Sequence, residues 1–353
     1  MRSAHPSFGN PSPARNEFID HLKGLLILLV VWGHAIQHLA YMDHRFWADP
    51  IFRLIYIFHM PLFMAVSGYV GFGAIQRIAL PAYASRRGRQ VLIPILCWTI
   101  AFRLLLDGLG WLMSGAPQPG AWLLTLGHNL RLEFWLRLWF LWAVFFAAMI
   151  TAGLRTMGLD RWPAFLLVTV ASLFLPDEAN LGLMKNVLPF YFVGYLFARR
   201  PMIPSGPLEC RLLWGGLAAT LVAWLAWKPE FHPYLANMKL TPENAGLLAF
   251  RFAAAGVASA TFVLLAWRFY WPGRIPVLVE LGRESLGIYI LQTYVFFGIR
   301  WAVAPFDPRV LALVLGFPAA LVIALGLARM IGLSVRSPVI ARWFFGRGPG
   351  IAR

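Results

Sequence analysis

The sequence predicts an all-α fold, a polytopic transmembrane helical bundle of about ten spans with its N- and C-termini in the cytoplasm. Of the 353 residues, 59% are hydrophobic and only 13% are charged, whereas about a quarter of the residues in a soluble domain are charged. The apolar runs are long and do not alternate with polar residues, which favours helices over a closed barrel. Only those two backbones satisfy their own hydrogen bonds in lipid.

Ten hydrophobic stretches define the predicted domain. Residues 1–14 contain three prolines and no apolar run, which predicts a disordered cytoplasmic tail. Residues 15–334 form the predicted ten-helix domain, and residues 335–353 form a basic cytoplasmic tail. The first span lies within residues 15–40, and the others are expected at 51–72, 91–113, 134–154, 162–176, 186–198, 211–228, 246–269, 277–300 and 309–332.

The distribution of positive charge orients these spans. The net charge of +16 would suggest nucleic-acid binding in a soluble protein. In a membrane protein, basic residues concentrate in cytoplasmic loops and contact anionic lipid or phosphate groups. With a cytoplasmic N-terminus, the cytoplasmic segments hold 19 of the 31 basic residues, the outer segments nine and the spans three. We therefore predict a multi-pass protein of the cell inner membrane that contacts membrane lipid and no nucleic acid.

The first span contains an unusual set of polar side chains. Lys23 and His34 are eleven residues apart, which places both on one helix face, about 16 Å apart along the axis. Asp20 can pair with Lys23, and His38 follows His34 by one turn. Ionisable groups within a span usually face a bundle interior or a wet cavity. One interpretation is a channel in which Lys23 binds an anionic donor and His34 acts as a base. The other is a snorkelling lysine with a histidine bonded to a neighbouring helix.

The second span adds His59, followed by Pro61 and Ser67. Pro61 is expected to kink the helix and free a backbone carbonyl beside His59. An interhelical hydrogen bond is as good an interpretation of His59 as a catalytic role. His34, His38 and His59 form a conceivable metal site, but no carboxylate or thiolate is near in sequence, so we expect no metal.

Two arginines open the third span. The guanidinium groups of Arg86 and Arg89 are expected at the cytoplasmic boundary, where they can bind phosphate bidentately. Ordinary topology-determining charge explains the same pair. No nucleotide-binding glycine loop, nucleophile elbow or dinucleotide fingerprint is present in the sequence.

Taken together, these residues resemble the acyltransferase-3 family of integral-membrane O-acyltransferases, in particular its stand-alone, fucose-acetylase-like members. The matching pieces keep the family's order over nearly the whole chain. They are Phe18–Asp20 with Lys23–Gly24 and Gly33–His34, Phe58–Phe63 with Ser67–Tyr69, Arg86 and Arg89 with Ile93–Pro94, Leu138–Leu141, Leu188–Phe190 with Gly194–Tyr195, and Leu281–Gly282 with Ser285–Tyr289.

The resemblance implies transfer of an acyl group from cytoplasmic acyl-CoA, expected to be acetyl-CoA, to a hydroxyl of an extracytoplasmic or lipid-linked glycan. The family's catalytic histidine corresponds to His34, its basic partner to Lys23, and its donor-side arginines to Arg86 and Arg89. Many members have arginine in place of Lys23, and histidine in place of Gln292, so no proton transfer is assigned to Gln292. Some members carry a fused extracytoplasmic domain that could perform a second transfer step. In this protein, any such step is expected to need a separate extracytoplasmic partner protein.

The candidate catalytic residues are thus His34, Lys23, Asp20, His59 and Ser67, and the candidate donor-binding residues are Arg86, Arg89 and Lys23. His34 deprotonates either the acceptor hydroxyl or an enzyme nucleophile such as Ser67 or a tyrosine. Acetyl, succinyl and other short acyl groups all fit. The alternative function is a secondary transporter with His34 as a proton relay. Transporters often repeat their broken helices in both halves of the chain, whereas here the polar groups crowd into the first 90 residues.

Overall fold

A computed structural model describes residues 16–41, 44–115, 119–136, 138–201, 203–232, 234–235, 237–303 and 308–347. Within these ranges the regular structure is helical and contains no strand, which confirms the predicted all-α class. The predicted disordered tail at residues 1–14 lies outside the described residues. The helices are α1 Glu17–Ala35, α2 Pro50–Arg77, α3 Leu80–Ser114, α4 Pro119–Leu136, α5 Trp139–Thr156, α6 Trp162–Ser172, α7 Leu181–Arg199, α8 Pro207–Ala226, α9 Ala245–Arg268, α10 Pro276–Arg283, α11 Ser285–Val303, α12 Pro308–Ser334 and α13 Pro338–Phe345.

Eight stretches of the described chain are long and apolar enough to cross a membrane, and they fall in α1, α2, α3, α5, α7, α8, α9 and α12. Two shorter apolar helices, Trp162–Ser172 and Ser285–Phe296, fall where the fifth and ninth spans were predicted. The protein is therefore a multi-pass helical membrane protein, and the count of ten spans stays a prediction. The expected ninth span is divided at Glu284, whose buried carboxylate pairs with Arg347.

Side-chain caps determine where the first two helices begin. The Asn16 carboxamide oxygen accepts the Ile19 amide at 3.3 Å. Asp49 Oδ1 accepts the amides of Ile51 and Phe52 at 2.9 and 2.8 Å, and Pro50 occupies the first turn. Caps of this kind satisfy amides that have no partner within the helix. α2 then continues as one helix through Pro61.

Glycines bring two pairs of helices into backbone contact. A Cβ atom on Gly68 of α2 would overlap the Tyr191 carbonyl of α7, and one on Gly194 would overlap the Ala65 carbonyl in return. Gly24 of α1 and Gly282 of α10 are related in the same way across their own interface. Small residues permit this close approach of membrane helices. The four motif glycines therefore position the helices that carry the polar side chains.

We call the end of the bundle where α1 begins the proximal end, and the opposite end the distal end. At the proximal end, Asp160 accepts hydrogen bonds from the Tyr195 hydroxyl at 2.7 Å and from Arg199. Gln76 and Arg155 extend this network to α2 and α5. Part of the predicted C-terminal tail forms α13, where the Phe344 carbonyl accepts the Trp98 indole N–H of α3 at 2.8 Å.

Candidate active site

The proximal end of α1 carries a cluster of three charged side chains. Asp20 is 4% exposed, and its Oδ1 lies 3.1 Å from Nζ of Lys23. Arg283 approaches from α10, with Nε 3.7 Å from Asp20 Oδ2. The close contact of α10 with α1 makes this approach possible. One buried carboxylate thus holds two cations, and the cluster has a net positive charge.

His34 lies about 16 Å from Lys23 along α1, in contact with two other rings. Its imidazole is stacked with that of His38, with centroids 5.8 Å apart and planes 9° from parallel. Phe296 of α11 lies 6.5 Å from the His34 ring and 5.9 Å from the His38 ring. The Gln37 side chain also hydrogen-bonds His34. His34 therefore faces a neighbouring helix, and it stays partly exposed.

His59 of α2 is separated from His34 by the ring of Tyr56. Its Nδ1 is 2.8 Å from the Ile55 carbonyl oxygen. Since a carbonyl only accepts, Nδ1 carries the hydrogen and Nε2 keeps its lone pair. The Tyr56 ring lies 4.5 Å from the His59 ring and fills the space left by Gly33, next to His34 in α1. The imidazoles of His34 and His59 lie within electrostatic range of each other.

The structure does not bring Ser67 to these histidines. Its hydroxyl donates to the Phe63 carbonyl at 2.9 Å, within its own helix. Ser67 also follows His59 by eight residues, which is about 12 Å towards the proximal end. A side chain at that depth, with its proton engaged, is not placed to exchange a proton with either imidazole.

The arginines that open α3 differ in orientation. Arg86 and Arg89 are exposed, and Arg89 Nε donates a long hydrogen bond of 3.4 Å to the Ser85 carbonyl. Arg87 turns inward and interacts electrostatically with Tyr83 and Tyr191. Its Nε atom is buried without a hydrogen-bond partner. Arg87 was not predicted as a site residue, because helical spacing alone does not tell which residue of a basic run faces the bundle.

The loop between α8 and α9 packs its rings onto the distal side of the site. His232 is 2% exposed, and its ring lies 4.3 Å from Trp47 and 5.2 Å from Tyr56. Tyr234 stacks on His232 with centroids 5.3 Å apart. Burial, with the nearby Arg251 charge and His59, holds the pKa of His232 well below its usual value. His232 is therefore a neutral ring at neutral pH.

Acidification is expected to destabilise the protein through His232. Its pKa is ordinary in the unfolded chain and lowered in the fold, so below a pH of about 6.5 only the unfolded state takes up this proton. Each further pH unit then lowers the free energy of unfolding by about 1.4 kcal/mol. Thermal melts at pH 7.5 and 5 should show a smaller acid-induced loss for His232→Phe than for wild type. The exposed His128→Phe serves as control, and equal losses for His232→Phe and wild type would contradict the assignment.

Two further polar side chains are buried without partners. All three guanidinium nitrogens of Arg251 in α9 lack a hydrogen bond, and the residue is 1% exposed. Gln292 of α11 is also 1% exposed, with both amide atoms unpartnered. It precedes Phe296 by one turn and so shares the strip of α11 that meets the histidines. Neither residue was assigned a role from the sequence, although a charge inside a span such as Arg251 is itself a signal of function.

One cavity opens at the distal end of the bundle and another at the proximal end. The distal cavity has a volume of about 590 Å³ and is lined by residues that include Asp177, Glu178, Tyr234 and Lys239. The proximal cavity, of about 410 Å³, is lined by Glu280, Arg329 and Arg336, among others. Among the described residues, no group of three or more His, Cys, Asp or Glu side chains is placed to hold a metal ion.

Comparison with known proteins adds independent information. The sequence profile of the acyltransferase-3 family, described as an acyltransferase domain, matches residues 16–329. The chain is 31% identical over 295 residues to nodulation protein NolL of Mesorhizobium japonicum, covering 80% of this chain and 77% of that protein. It is 30% identical over 293 residues to nodulation protein NolL of Sinorhizobium fredii, covering 80% and 78%. No solved structure gives a significant match.

Proposed function

Because this chain belongs to the acyltransferase-3 family of membrane O-acyltransferases, we propose that it acylates a cell-surface or lipid-linked glycan in the inner membrane. The donor is cytoplasmic acyl-CoA, with acetyl as the expected group. The observation that carries the proposal is the cluster of imidazoles inside the bundle, between a basic proximal end and a distal cavity. Such an arrangement suits a reaction whose two substrates approach from opposite sides of a membrane.

His34 acts as the general base in this proposal. Its ring takes the proton of the acceptor hydroxyl as the oxygen attacks the thioester carbonyl. The tetrahedral intermediate then collapses, the carbon–sulfur bond breaks, and the imidazolium returns the proton to the leaving CoA thiolate. A positioned base of this kind contributes about 10²- to 10⁴-fold to the rate. His59 offers a second basic nitrogen. Its Nδ1–H donates to the Ile55 carbonyl, so the lone pair stays on Nε2.

The oxyanion formed in the intermediate needs a hydrogen-bond donor. The Gln292 side-chain amide is suited to this task, since it is buried and unpartnered on the strip of α11 that contacts His34 and His38 through Phe296. An amide in place of the family's histidine can donate a hydrogen bond but cannot shuttle a proton.

Direct transfer is favoured over an acyl-enzyme on Ser67. The Ser67 hydroxyl is engaged with the Phe63 carbonyl and lies about 12 Å along α2 from His59. A single displacement at His34 requires no intermediate that must cross that distance.

The donor is expected to bind at the proximal end. Phosphates and the nucleotide of acyl-CoA are anionic, and Lys23, Arg87 and Arg283 provide cations around the entrance. The exposed Arg86 and Arg89 extend this positive rim. Guanidinium and ammonium groups bind phosphate through charge-assisted hydrogen bonds. Asp20 then orients Lys23 and Arg283 and is not a base.

Replacing Lys23 by alanine is expected to raise KM for acyl-CoA by about tenfold, because one charge-assisted contact is lost. The value of kcat should change little, since Lys23 lies far from the reacting carbonyl. Lys23→Arg should restore donor affinity, and Lys228→Ala, an exposed lysine of the distal loop, serves as the matched control. Initial rates at varied acetyl-CoA concentration measure this. If only acceptor affinity changed, the donor-side role of Lys23 would be wrong.

The proposed function is tested most simply on the product. Mass analysis of cell-surface glycans with and without the gene should show the loss of one acyl-sized mass, and purified protein should transfer acetyl from acetyl-CoA to the affected glycan. Glycans of unchanged mass and protein inert towards acetyl-CoA would instead favour transport.

A further inference from the structure

The guanidinium of Arg251 is the most unusual charge in the described structure. It lies inside a membrane helix, 1% exposed, with Nε, Nη1 and Nη2 all without hydrogen-bond partners. An ionised group buried without compensation costs several kcal/mol, so such arginines pair with an anion or line a polar cavity. Five donor hydrogens held in one plane are suited to binding a carboxylate or a phosphate.

The carboxylate that interacts with Arg251 is already occupied. Asp177 interacts electrostatically with Arg251, but its Oδ1 is 2.6 Å from Nζ of buried Lys185. Its Oδ2 accepts the backbone amides of Met238 and Lys239 at 2.5 and 3.1 Å. The buried Arg251 and Lys185 and the partly exposed Asp177 therefore sum to one positive charge, which a bound anion would neutralise.

A second side chain points to the same ligand. Nε2 of His232 is buried without a partner, and His232 lies within electrostatic range of both Arg251 and His59. Its ring also contacts Tyr56, whose ring meets that of His59. A neutral imidazole nitrogen can donate a hydrogen bond to an oxyanion. The two unpartnered groups, one on α9 and one in the distal loop, therefore lie within electrostatic range of each other.

The depth of Arg251 separates it from the reacting atoms. The Ser259 hydroxyl donates to the Phe58 carbonyl at 3.5 Å, which places Ser259 at the level of His59. Arg251 precedes Ser259 by eight residues of α9, so its backbone is about 12 Å further towards the distal end. The distal cavity adjoins this region through Tyr234, which stacks on His232 and lines that cavity. An anion here would belong to the substrate that enters from the distal side.

We propose that Arg251 and His232 bind an oxyanion carried by the glycan acceptor. This inference rests on the proposed function only in identifying the ligand as the acceptor. The chemistry fits two sources, the carboxylate of an acidic sugar and the phosphate of a lipid-linked saccharide. In either case the site holds the acceptor at a distance from the hydroxyl that His34 deprotonates.

Thermal unfolding of the purified full-length protein tests the site with two matched ligand pairs. Octyl glucuronide and octyl glucoside differ in one carboxylate, whereas geranyl diphosphate and geraniol differ in the phosphates. The charged member of at least one pair should raise Tm by about 3 °C at tenfold excess over Kd, and its neutral partner should not. The pair that responds identifies the source of the anion.

The shift should vanish in Arg251→Gln and fall by at least half in Arg251→Lys, which keeps the charge but loses the planar fork. Lys239→Gln removes a charge from the cavity rim and should retain the shift. Equal shifts within both pairs, no shift in either, or an undiminished shift in both Arg251 variants would overturn the proposal.

Acetyl-CoA hydrolysis without acceptor provides the separate readout. It should stay within twofold of wild type in Lys239→Gln. In Arg251→Lys, transfer to the acceptor should show a raised KM for the acceptor with kcat nearly unchanged, and a fall in kcat alone would assign Arg251 to the transition state and overturn the acceptor role. If wild type shows the anion-dependent shift but never turns over acetyl-CoA, the proposed function fails and the anion site stands. If turnover occurs without any shift, the site fails and the function stands.

Discussion

His34→Ala is expected to lower the rate of acyl transfer by about 10²- to 10⁴-fold, because the reaction loses its general base. The ring contacts His38, Phe296 and Gln37 and no backbone atom of another helix is described against it, so the variant should insert and fold. The loss should appear in kcat, with KM for acyl-CoA nearly unchanged. Steady-state rates of purified protein in detergent measure both constants.

His128→Ala is the matched control for this experiment. His128 is an exposed residue of α4, a different helix from those that carry the imidazole cluster. Its replacement should leave kcat within twofold of wild type. A His34→Ala protein that melts like wild type and retains near-normal kcat would remove His34 from the mechanism.

Gly194→Ala is expected to destabilise the bundle by about 3 kcal/mol or more, the upper range for overpacking. The added Cβ would overlap the Ala65 backbone carbonyl, and a backbone atom cannot move aside as a side chain can. The pair α2 and α7 would separate, and His59 would move with α2. Fluorescence-detected size-exclusion and thermal melts should show a poorly folded protein.

Gly215→Ala provides the contrast. Gly215 lies on exposed α8, and a Cβ there meets no atom within 4 Å. Alanine also favours the helix over glycine by up to about 1 kcal/mol. This variant should melt at or slightly above the wild-type temperature. Similar melting of the two alanine variants would show that the α2–α7 contact is not as close as the structure has it.

The sequence predicted the class of the fold, and it singled out three histidines that the structure brings near one another, His34, His38 and His59. Length and hydropathy were sufficient to locate the eight helices that are long and apolar enough to cross a membrane, whereas the count of ten spans stays a prediction. The spacing of Lys23 and His34 on one helix face required only helical periodicity. The division of the ninth span at Glu284 was missed, and Glu284 pairs there with Arg347, a contact between residues 63 positions apart. Hydropathy carries no information about such a partner.

The partners of the polar residues were also beyond sequence reasoning. Arg283 joins Asp20 only because Gly24 and Gly282 let α10 touch α1. His232 reaches the site from a loop nearly 200 residues after His34. Ser67 was a reasonable nucleophile by residue type, but its depth in α2 and its bond to Phe63 are properties of the folded helix. Arg251 was visible as a charge within a span, and its lack of a partner became apparent only in the structure.

The central claim is that a donor from the cytoplasmic, proximal side and an acceptor from the distal side meet at His34. Membrane vesicles of known orientation test it directly, with labelled acetyl-CoA supplied to one face and acylated glycan measured on the other. Inside-out vesicles should acylate lumenal glycan from external acetyl-CoA, right-side-out vesicles should not, and His34→Ala should abolish the signal. Equal acylation in both vesicle types, or transfer that persists in His34→Ala, would contradict the account.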